Sequence, residues 1–274
     1  MPTSDAKTAV VTGSAGTLGR AFAVRLAREG RRLALVDFNE PGNLETLRLV
    51  EAAGGTATVE MCDVRDPAAW NALHDRLRAR WTHLDLLVNN AGVAGAGAMG
   101  EFPLDDWQWV LDTNLRSVVL GCHTFARWLR ENPAGSQVIN VASLAAFAAL
   151  PSMGAYNVAK AGVMALSETL RTEWKAAGVS VTVVCPGFFP SGLVTAARMM
   201  TDEQRNFTQR AMDEAGFTAD DVAAAALHGA ERGRMYVLLP RKARVLWRIK
   251  RWFPRLYLRL IANRYRKACE EGIA

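Results

Sequence analysis

The stretch Thr8–Gly19, TAVVTGSAGTLG, decides how the rest of this chain is read. Thr8 to Thr12 is a short run of β-favouring residues that meets a glycine cluster at once. From Leu18 to Arg28 apolar and small residues recur at helical spacing, with Phe22 and Leu26 on one face. A strand turning into a helix over glycines brings the helix's free N–H groups, and their partial positive charge, to a point where the backbone is bare. Such a turn suits an anion of phosphate size.

Outward from that turn, apolar runs alternate with helical patterns. Strands are predicted at Arg32–Asp37, Thr56–Val64, Leu84–Asn89, Gln137–Ala142, Val179–Cys185 and Met235–Leu239. Helices are predicted from Leu44, over Pro67–Trp81, Leu104–Arg130, Ala155–Ala176 and Ala219–Arg232. Continuous Val/Leu/Ile strands separated by helices of this length mean parallel strands covered on both faces. The expected fold is α/β: a doubly wound, Rossmann-like parallel sheet forming a single dinucleotide-binding and catalytic domain over residues 1–240. Residues 241–274 form a basic amphipathic C-terminal extension.

The chain has 274 residues, half of them hydrophobic and 22% charged, with a formal net charge of +6. That composition excludes a disordered polar chain and a small disulfide scaffold. Cys62, Cys122, Cys185 and Cys269 follow no CxxC spacing, and His74, His83, His123 and His228 form no ligand cluster. No metal is expected, and the cysteine usage fits a reducing compartment. Residues 1–7 are too polar for a signal peptide, and no apolar run reaches the ~18 residues of a spanning helix. A cytoplasmic location is expected, with a peripheral place at the inner face of a membrane as the variant the tail allows.

Asp37 closes the second strand, 18 residues after Gly19. A carboxylate there accepts both ribose hydroxyls of an adenosine and repels a 2′-phosphate, which favours NAD over NADP.

With Asp37 in place, the sequence resembles the short-chain dehydrogenase/reductase family over residues 8 to about 240. Thr12, Gly13 and Gly19 match the family's Thr-Gly-x-x-x-Gly-x-Gly turn, Thr17 stands at the middle glycine, and Gly16 lies one step early. The resemblance implies a cofactor site made of Gly13, Gly16, Thr17, Leu18, Gly19, Asp37, Asp63 (to the adenine), Val64, and Asn90-Ala91-Gly92 of the Asn89-Asn90-Ala91-Gly92 motif. Pro186 and Gly187 follow the sixth strand, with Ser191 at the hydroxyl position that contacts the nicotinamide amide. Gly16 and Phe38 stand where NADP-dependent members often carry a basic residue, so the resemblance also points to NAD. It further implies Asn114, Ser143, Tyr156 and Lys160 as the catalytic set, the last two from Tyr156-Asn157-Val158-Ala159-Lys160.

The chemistry accounts for the residue types. Tyr156 and Lys160, four apart on a helix, share one face. A free tyrosine, with a pKa near ~10, is a poor base at neutral pH; a lysine ammonium and an oxidised nicotinamide beside it both favour the phenolate. Tyr156 then takes the alcohol proton in oxidation or donates one in reduction. Lys160 also holds the nicotinamide ribose, Ser143 orients the substrate oxygen, and Asn114 holds a relaying water. The expected activity is NAD-dependent hydride transfer to or from a secondary, lipophilic alcohol or ketone. The rivals are an NADPH-dependent 3-oxoacyl reductase and, outside catalysis, a membrane-docked dinucleotide-binding regulator. The lipophilic substrate is read from an apolar set expected to rim the cleft, with no Arg or Lys in it: Val93, Ala94, Leu144, Ala145, Phe147, Leu150, Met153, Phe188, Phe189, Leu193, Val194, Met199 and Met200. Phe188–Phe217 is expected to form a lid.

The tail concentrates the positive charge. Residues 241–274 hold eleven Lys or Arg and two Glu, while the rest of the chain is mildly acidic. Arg244, Arg248, Arg251, Arg255 and Arg259 form one helical stripe. Val245, Ile249, Phe253, Leu256 and Leu260 form another, flanked by Trp247, Trp252 and Tyr257, and Pro254 kinks the helix or starts a second. Peripheral membrane contact through residues 241–268 is expected, against a tail packed on the body with its arginines paired to acids. No nucleic-acid partner is expected. The family resemblance implies a homodimer or homotetramer through the helices that begin at Leu104 and Ala155, where Trp107, Trp109 and Trp128 fit a buried contact.

Overall fold

A computed structural model describes residues 6–240 and 242–270. The polarity of residues 1–5, Arg241 at the tail's start and the chain end 271–274 lie outside the described residues.

The strands, in chain order, are β1 (Thr8–Thr12), β2 (Arg32–Asp37), β3 (Thr56–Met61), β4 (Leu86–Asn89), β5 (Gly95–Ala96), β6 (Gln137–Val141), β7 (Ser180–Pro186), β8 (Arg198–Met199) and β9 (Tyr236–Leu239). The helices are α1 (Thr17–Arg28), α2 (Glu40–Ala52), α3 (Pro67–Arg78), α4 (Leu104–Leu111), α5 (Ser117–Arg130), α6 (Ala145–Ala148), α7 (Gly154–Glu173), α8 (Asp202–Asp213), α9 (Ala219–Glu231), α10 (Ala243–Trp252) and α11 (Pro254–Glu270). The main sheet runs β3-β2-β1-β4-β6-β7-β9, every neighbouring pair parallel. The predicted doubly wound sheet is therefore present.

Strand alternation builds two cores. Val10, Val36, Leu87 and Val183 face a layer with Trp70, Phe125 and Trp128. Ala9, Val11, Leu35 and Val88 face the other way, onto Phe22, Leu26 and Val222 of α1 and α9. The period of two in a strand puts alternate residues on opposite faces, so uninterrupted apolar strands need helices on both. Because all strands run the same way, the turn after β1, Asp37, Asn90, Ser143 and Pro186 all lie at one edge. The chain reverses its direction of winding between β1 and β4, and that switch point is where open α/β sheets bind ligands.

Several elements differ from expectation. The helix predicted over Leu104–Arg130 is broken by a π-helical turn at Asp112–Arg116, and the one over Ala155–Ala176 finishes in a 3-10 turn at Lys175–Ala177. α2 starts four residues earlier than predicted, where the Asn39 side chain accepts from the Gly42 N–H at 3.1 Å. The stretch Phe188–Phe217, expected as a lid, contains elements that the sequence reading did not assign. It holds β8, which pairs with β5, and α8, capped by Thr201. Its ends meet where Phe189 packs on Phe217, ring centres 6.2 Å apart.

The tail forms two helices, the second beginning at Pro254. Among the described residues it packs on the body through hydrogen-bond donors and apolar contacts, not through ion pairs. The Tyr257 hydroxyl, 2% exposed, donates to the Ala148 carbonyl at 2.6 Å. Lys250 donates to the Phe147 carbonyl, and Trp247 lies against Phe147 and Tyr236.

Candidate active site

Glycine is required at two places in the first turn. Gly13 has φ +65°, and a Cβ on it would stand 2.8 Å from Ala91 Cα. A Cβ on Gly19 would collide with the Gly13 carbonyl, so α1 can cross this close only without one. The turn is braced by the stretch after β4. Thr12 Oγ1 accepts from the N–H groups of Asn90 (2.9 Å) and Ala91 (3.1 Å), and Asn90 Nδ2 donates to the carbonyls of Thr12 and Gly13. α1 then opens at Gly16 with no side chain capping it. Its first-turn amides are thus left for an anion, and the residues fit a dinucleotide pyrophosphate.

These residues line a groove of about 450 Å³. It brings together Gly13, Gly16, Thr17, Leu18, Asp37, Val64, Asn90, Ala91, Gly92, Asn114, Tyr156, Lys160, Pro186 and Ser191. Gly19 sits beneath the turn rather than on the groove wall. Asp37 is 8% exposed; Oδ2 accepts from the Ala15 N–H and Oδ1 from the Asn39 N–H, each at 3.0 Å. Each oxygen keeps a lone pair beyond that bond.

Asp63 is not brought to the groove wall, although Cys62 and Val64 on either side of it are. Arg65 forks the Asp63 carboxylate, with Nη2 at 2.6 Å and Nε at 2.9 Å, and holds its pKa below the usual carboxylate value. The adenine contact expected of Asp63 would therefore be made by a carboxylate that Arg65 already holds.

Thr17 directs its hydroxyl away from its own helix, where it accepts from the Gly192 N–H at 3.3 Å. The phosphate turn and the segment after β7 are joined by that bond. Ser191 lies in the same segment, with Oγ 3.9 Å from Met212 Sδ.

The π turn carries Asn114, which is fully buried. Its Oδ1 accepts from the Val93 N–H, and its Nδ2 donates to the carbonyls of Val93 and Val110. Both amide hydrogens are used, so the side chain pins the stretch after Gly92 to α4. A water would be left only a lone pair of Oδ1 or the main chain.

Tyr156 and Lys160 stand on α7 with Lys160 Nζ 5.7 Å from the Tyr156 ring centre, and Nζ donates to the Val141 carbonyl at 3.0 Å. Burial pushes Tyr156 up to about 12, the Ser143 hydroxyl beside it pulling the other way. Burial pushes Lys160 down to about 8. In the protein by itself, desolvation is the largest influence on both groups, so the phenolate expected of Tyr156 calls for the oxidised nicotinamide as well as Lys160. Ser143 lies at the end of β6, where its Oγ accepts from the Ala145 N–H at 3.2 Å and lies 3.5 Å from the Pro186 carbonyl.

Ser143 and Gly187 line a second space, an apolar cavity of about 700 Å³ that shares Tyr156, Pro186, Phe189, Ser191 and Leu193 with the groove. Of the apolar residues expected there, Ala94, Leu144, Ala145, Leu150, Met153, Phe188, Phe189, Leu193 and Met199 line it. Phe147 is instead in the core, Val93 faces the groove, and Val194 and Met200 are outside the wall. Sequence reading missed the contributions of α8 (Ala211, Met212), of Ala215 just after it, and of the tail (Lys242, Leu246). Lys242 corrects the expectation of a wall without lysine or arginine. It also missed Arg20, on the groove wall with Nε 3.3 Å from Thr46 Oγ1. Trp128 is ruled out of a subunit contact by the core, where its Nε1 donates to the Thr82 carbonyl at 2.9 Å.

Comparison with known proteins agrees with this geometry. The short-chain dehydrogenase family profile matches residues 7–202. The chain belongs to that family. A probable oxidoreductase, EphD, of Mycobacterium tuberculosis is 37% identical over 198 residues, which is 71% of this chain but 33% of that protein. The chain thus spans about one third of the length of those relatives. 3beta-hydroxysteroid dehydrogenase 1 of Eggerthella lenta is 34% identical over 233 residues, 84% of this chain and 89% of that protein. A short-chain dehydrogenase/reductase of Burkholderia phymatum, solved in complex with NAD, superposes with a TM-score of 0.87 at 31% identity, over 93% of this chain and 96% of that one. The F189W actinorhodin polyketide ketoreductase, solved with NADPH, gives 0.78 at 26% identity, over 87% and 97%.

Proposed function

We propose that the chain is an NAD-dependent dehydrogenase of a secondary, lipophilic alcohol or the corresponding ketone, with Tyr156 as general acid and base. The observation that carries it is the position of Tyr156: it lines both the dinucleotide groove and the apolar cavity, on the boundary between them. Nicotinamide, when bound, accepts or supplies the hydride and carries a positive charge in its oxidised form.

The chain's own residues do the rest. Tyr156, held as a phenol by burial, donates its proton to a carbonyl oxygen in reduction. In oxidation it takes the alcohol proton once positive charge stands near it. Ser143 donates a hydrogen bond to the substrate oxygen and orients it. Lys160, anchored on Val141, holds the ribose, and Asn114 keeps the loop after Gly92 in place. Gly13, Gly16, Thr17 and Leu18 bind the pyrophosphate, and Asp37 accepts the adenosine ribose hydroxyls.

Asp37 and the NAD-bound Burkholderia neighbour support NAD. The NADPH-bound ketoreductase keeps the 3-oxoacyl reductase reading as the rival. The cavity's size and apolar wall suit a fused-ring or long-chain alcohol, in line with the Eggerthella lenta relative's name. Pairing of subunits through α4, α5 and α7 is part of the proposal; Leu104 and Val158, both more than half exposed, lie on those helices.

The test is a panel of hydroxysteroids and long-chain secondary alcohols with NAD and NADP, following reduced nicotinamide. Turnover with NAD that falls about 10³-fold in Tyr156→Phe, with NADH binding kept, is expected. If NADH binds but no alcohol or ketone reacts in either direction, the regulator reading replaces this one.

A further inference from the structure

The C-terminal helix pair presents a surface that the body does not use. α11 touches the body along Tyr257, Ile261 and Tyr265, which recur every four residues. Tyr257 is buried, Ile261 and Tyr265 half-buried, and Tyr265 reaches Ser152 at 3.3 Å. Nearly everything between is turned outward. Trp252 is 76% and Phe253 61% exposed at the joint of the two helices, and Val245, Leu256, Leu258 and Leu260 are each more than half exposed. Scattered exposed leucines are ordinary, but six large apolar side chains exposed within the span Val245–Leu260 are a concentration the body does not cover.

Arginines are interleaved with it. Arg244, Arg248, Arg251, Arg255 and Arg259 are all exposed, and among the described residues none is in an ion pair. The tail's one pair among those residues is internal, Arg266 with Glu270 at 3.9 Å. The alternative expectation, arginines paired with the body's acids, is therefore not how the tail is held.

We infer that α10 and α11 dock this protein on an anionic bilayer. Three observations choose that occupant. The tail's eleven basic against two acidic residues match a surface of opposite charge. The same charge opposes a second copy, because tail against tail would bring two strongly cationic segments together. Trp252 and Phe253 project at the joint, beside exposed arginines, the arrangement of an interfacial helix whose aromatics enter the headgroup layer while its cations stay at the phosphates. Among the described residues no helix is long and apolar enough to cross a membrane, so the contact is peripheral.

Docking has a consequence for the cavity. Lys242 and Leu246, at the start of the same helix pair, line the cavity that Ser143 and Tyr156 open onto. A docked tail therefore sets the cavity rim next to the lipid surface. Docking itself does not depend on which alcohol, if any, the site accepts.

The experiment is flotation of the full chain with vesicles of phosphatidylcholine containing about one part in three phosphatidylglycerol, against pure phosphatidylcholine vesicles. The chain is expected to float with the anionic vesicles, to be released as salt rises, and to show a blue shift of tryptophan emission when bound. The variant Arg248→Glu/Arg251→Glu/Arg255→Glu should lose at least about tenfold in partitioning, and Trp252→Ser/Phe253→Ser about as much together with the emission shift. All five residues are exposed, and unchanged dinucleotide binding checks that the variants are folded. Equal flotation with both vesicle types overturns the proposal, as do variants that float like the wild type. If the same substitutions instead dissociate a lipid-free oligomer in sedimentation velocity, the patch is covered by a second copy and the proposal is wrong.

Discussion

Replacing Asp37 by serine tests the groove reading at its most specific point. The carboxylate is 8% exposed and held by two backbone amides at 3.0 Å, so its position does not depend on a ligand. A ribose hydroxyl donating to a fixed carboxylate is worth about 1.5–3 kcal/mol. A 2′-phosphate in the same place puts negative charge ~4 Å from the carboxylate, which costs about 1–4 kcal/mol per charge between the dielectric of water and that of a protein surface. Arg20, on the same wall, recovers part of that cost for a phosphate. The net preference for NADH over NADPH is then about 3 kcal/mol or more, a factor of at least about a hundred. Serine removes the repulsion and keeps one hydroxyl that can accept from Ala15 or Asn39. In Asp37→Ser the ratio of dissociation constants should fall to within about fivefold of unity, NADH weakening and NADPH tightening. Energy transfer from tryptophan to bound reduced nicotinamide reads both constants directly. A wild-type ratio under about threefold, or a shift of under about threefold on mutation, refutes the assignment of Asp37 to the ribose.

Three further perturbations follow from the geometry. Lys160 has a folded pKa of about 8 against its usual 10.5. The folded state therefore sheds a proton that the unfolded chain still holds between those values, and stability rises with pH across that window. The buried charge is a burden of about 3 kcal/mol below pH ~8, so Lys160→Met should gain most over wild type there, less the bond to Val141, and its advantage should shrink towards pH ~10.5; denaturant melts with a constant difference from pH 7 to 10 exclude the shift. Thr17→Gly removes the acceptor of the Gly192 N–H. Hydrogen exchange at residues 190–196 should quicken severalfold, and unchanged exchange means the turn and that segment are not coupled. Tyr257→Phe leaves the Ala148 carbonyl without its donor, which costs about 1–2 kcal/mol and should raise protease cutting in α10 and α11 while the body stays resistant; an unchanged digest refutes the bond.

The sequence was most legible where one period ruled a whole element. Val10, Val11, Leu35 and Val88 sit in uninterrupted strands, so the sheet and its switch point followed from the runs themselves. Tyr156 and Lys160 were legible because four residues on a helix share a face wherever that helix goes. The π turn at Asp112–Arg116 was not, since one extra residue in a turn leaves the helical pattern on either side intact. α8 could have been found: Thr201-Asp202-Glu203-Gln204 is a capping signature, but an apolar face was sought first and this helix buries only Met212. The hold on Asp63 was legible two residues on, because an arginine that close competes for the same acceptors.

Which side of the tail faces the body was not legible in its sequence pattern, for a different physical reason. Its strongest apolar stripe, with Val245, Phe253, Leu256 and Leu260, is the natural choice for a buried face, yet those four are exposed. α6 is a short helix whose last turn leaves the carbonyls of Phe147 and Ala148 without helical partners. Leucine and valine have nothing to donate to a carbonyl. Lys250 and Tyr257 do, and each combines that donor with an apolar body that can be buried on the way. The side of the helix pair that faces the protein is therefore set by two hydrogen bonds to the segment just after Ser143, and the greasier side is left for whatever lies outside.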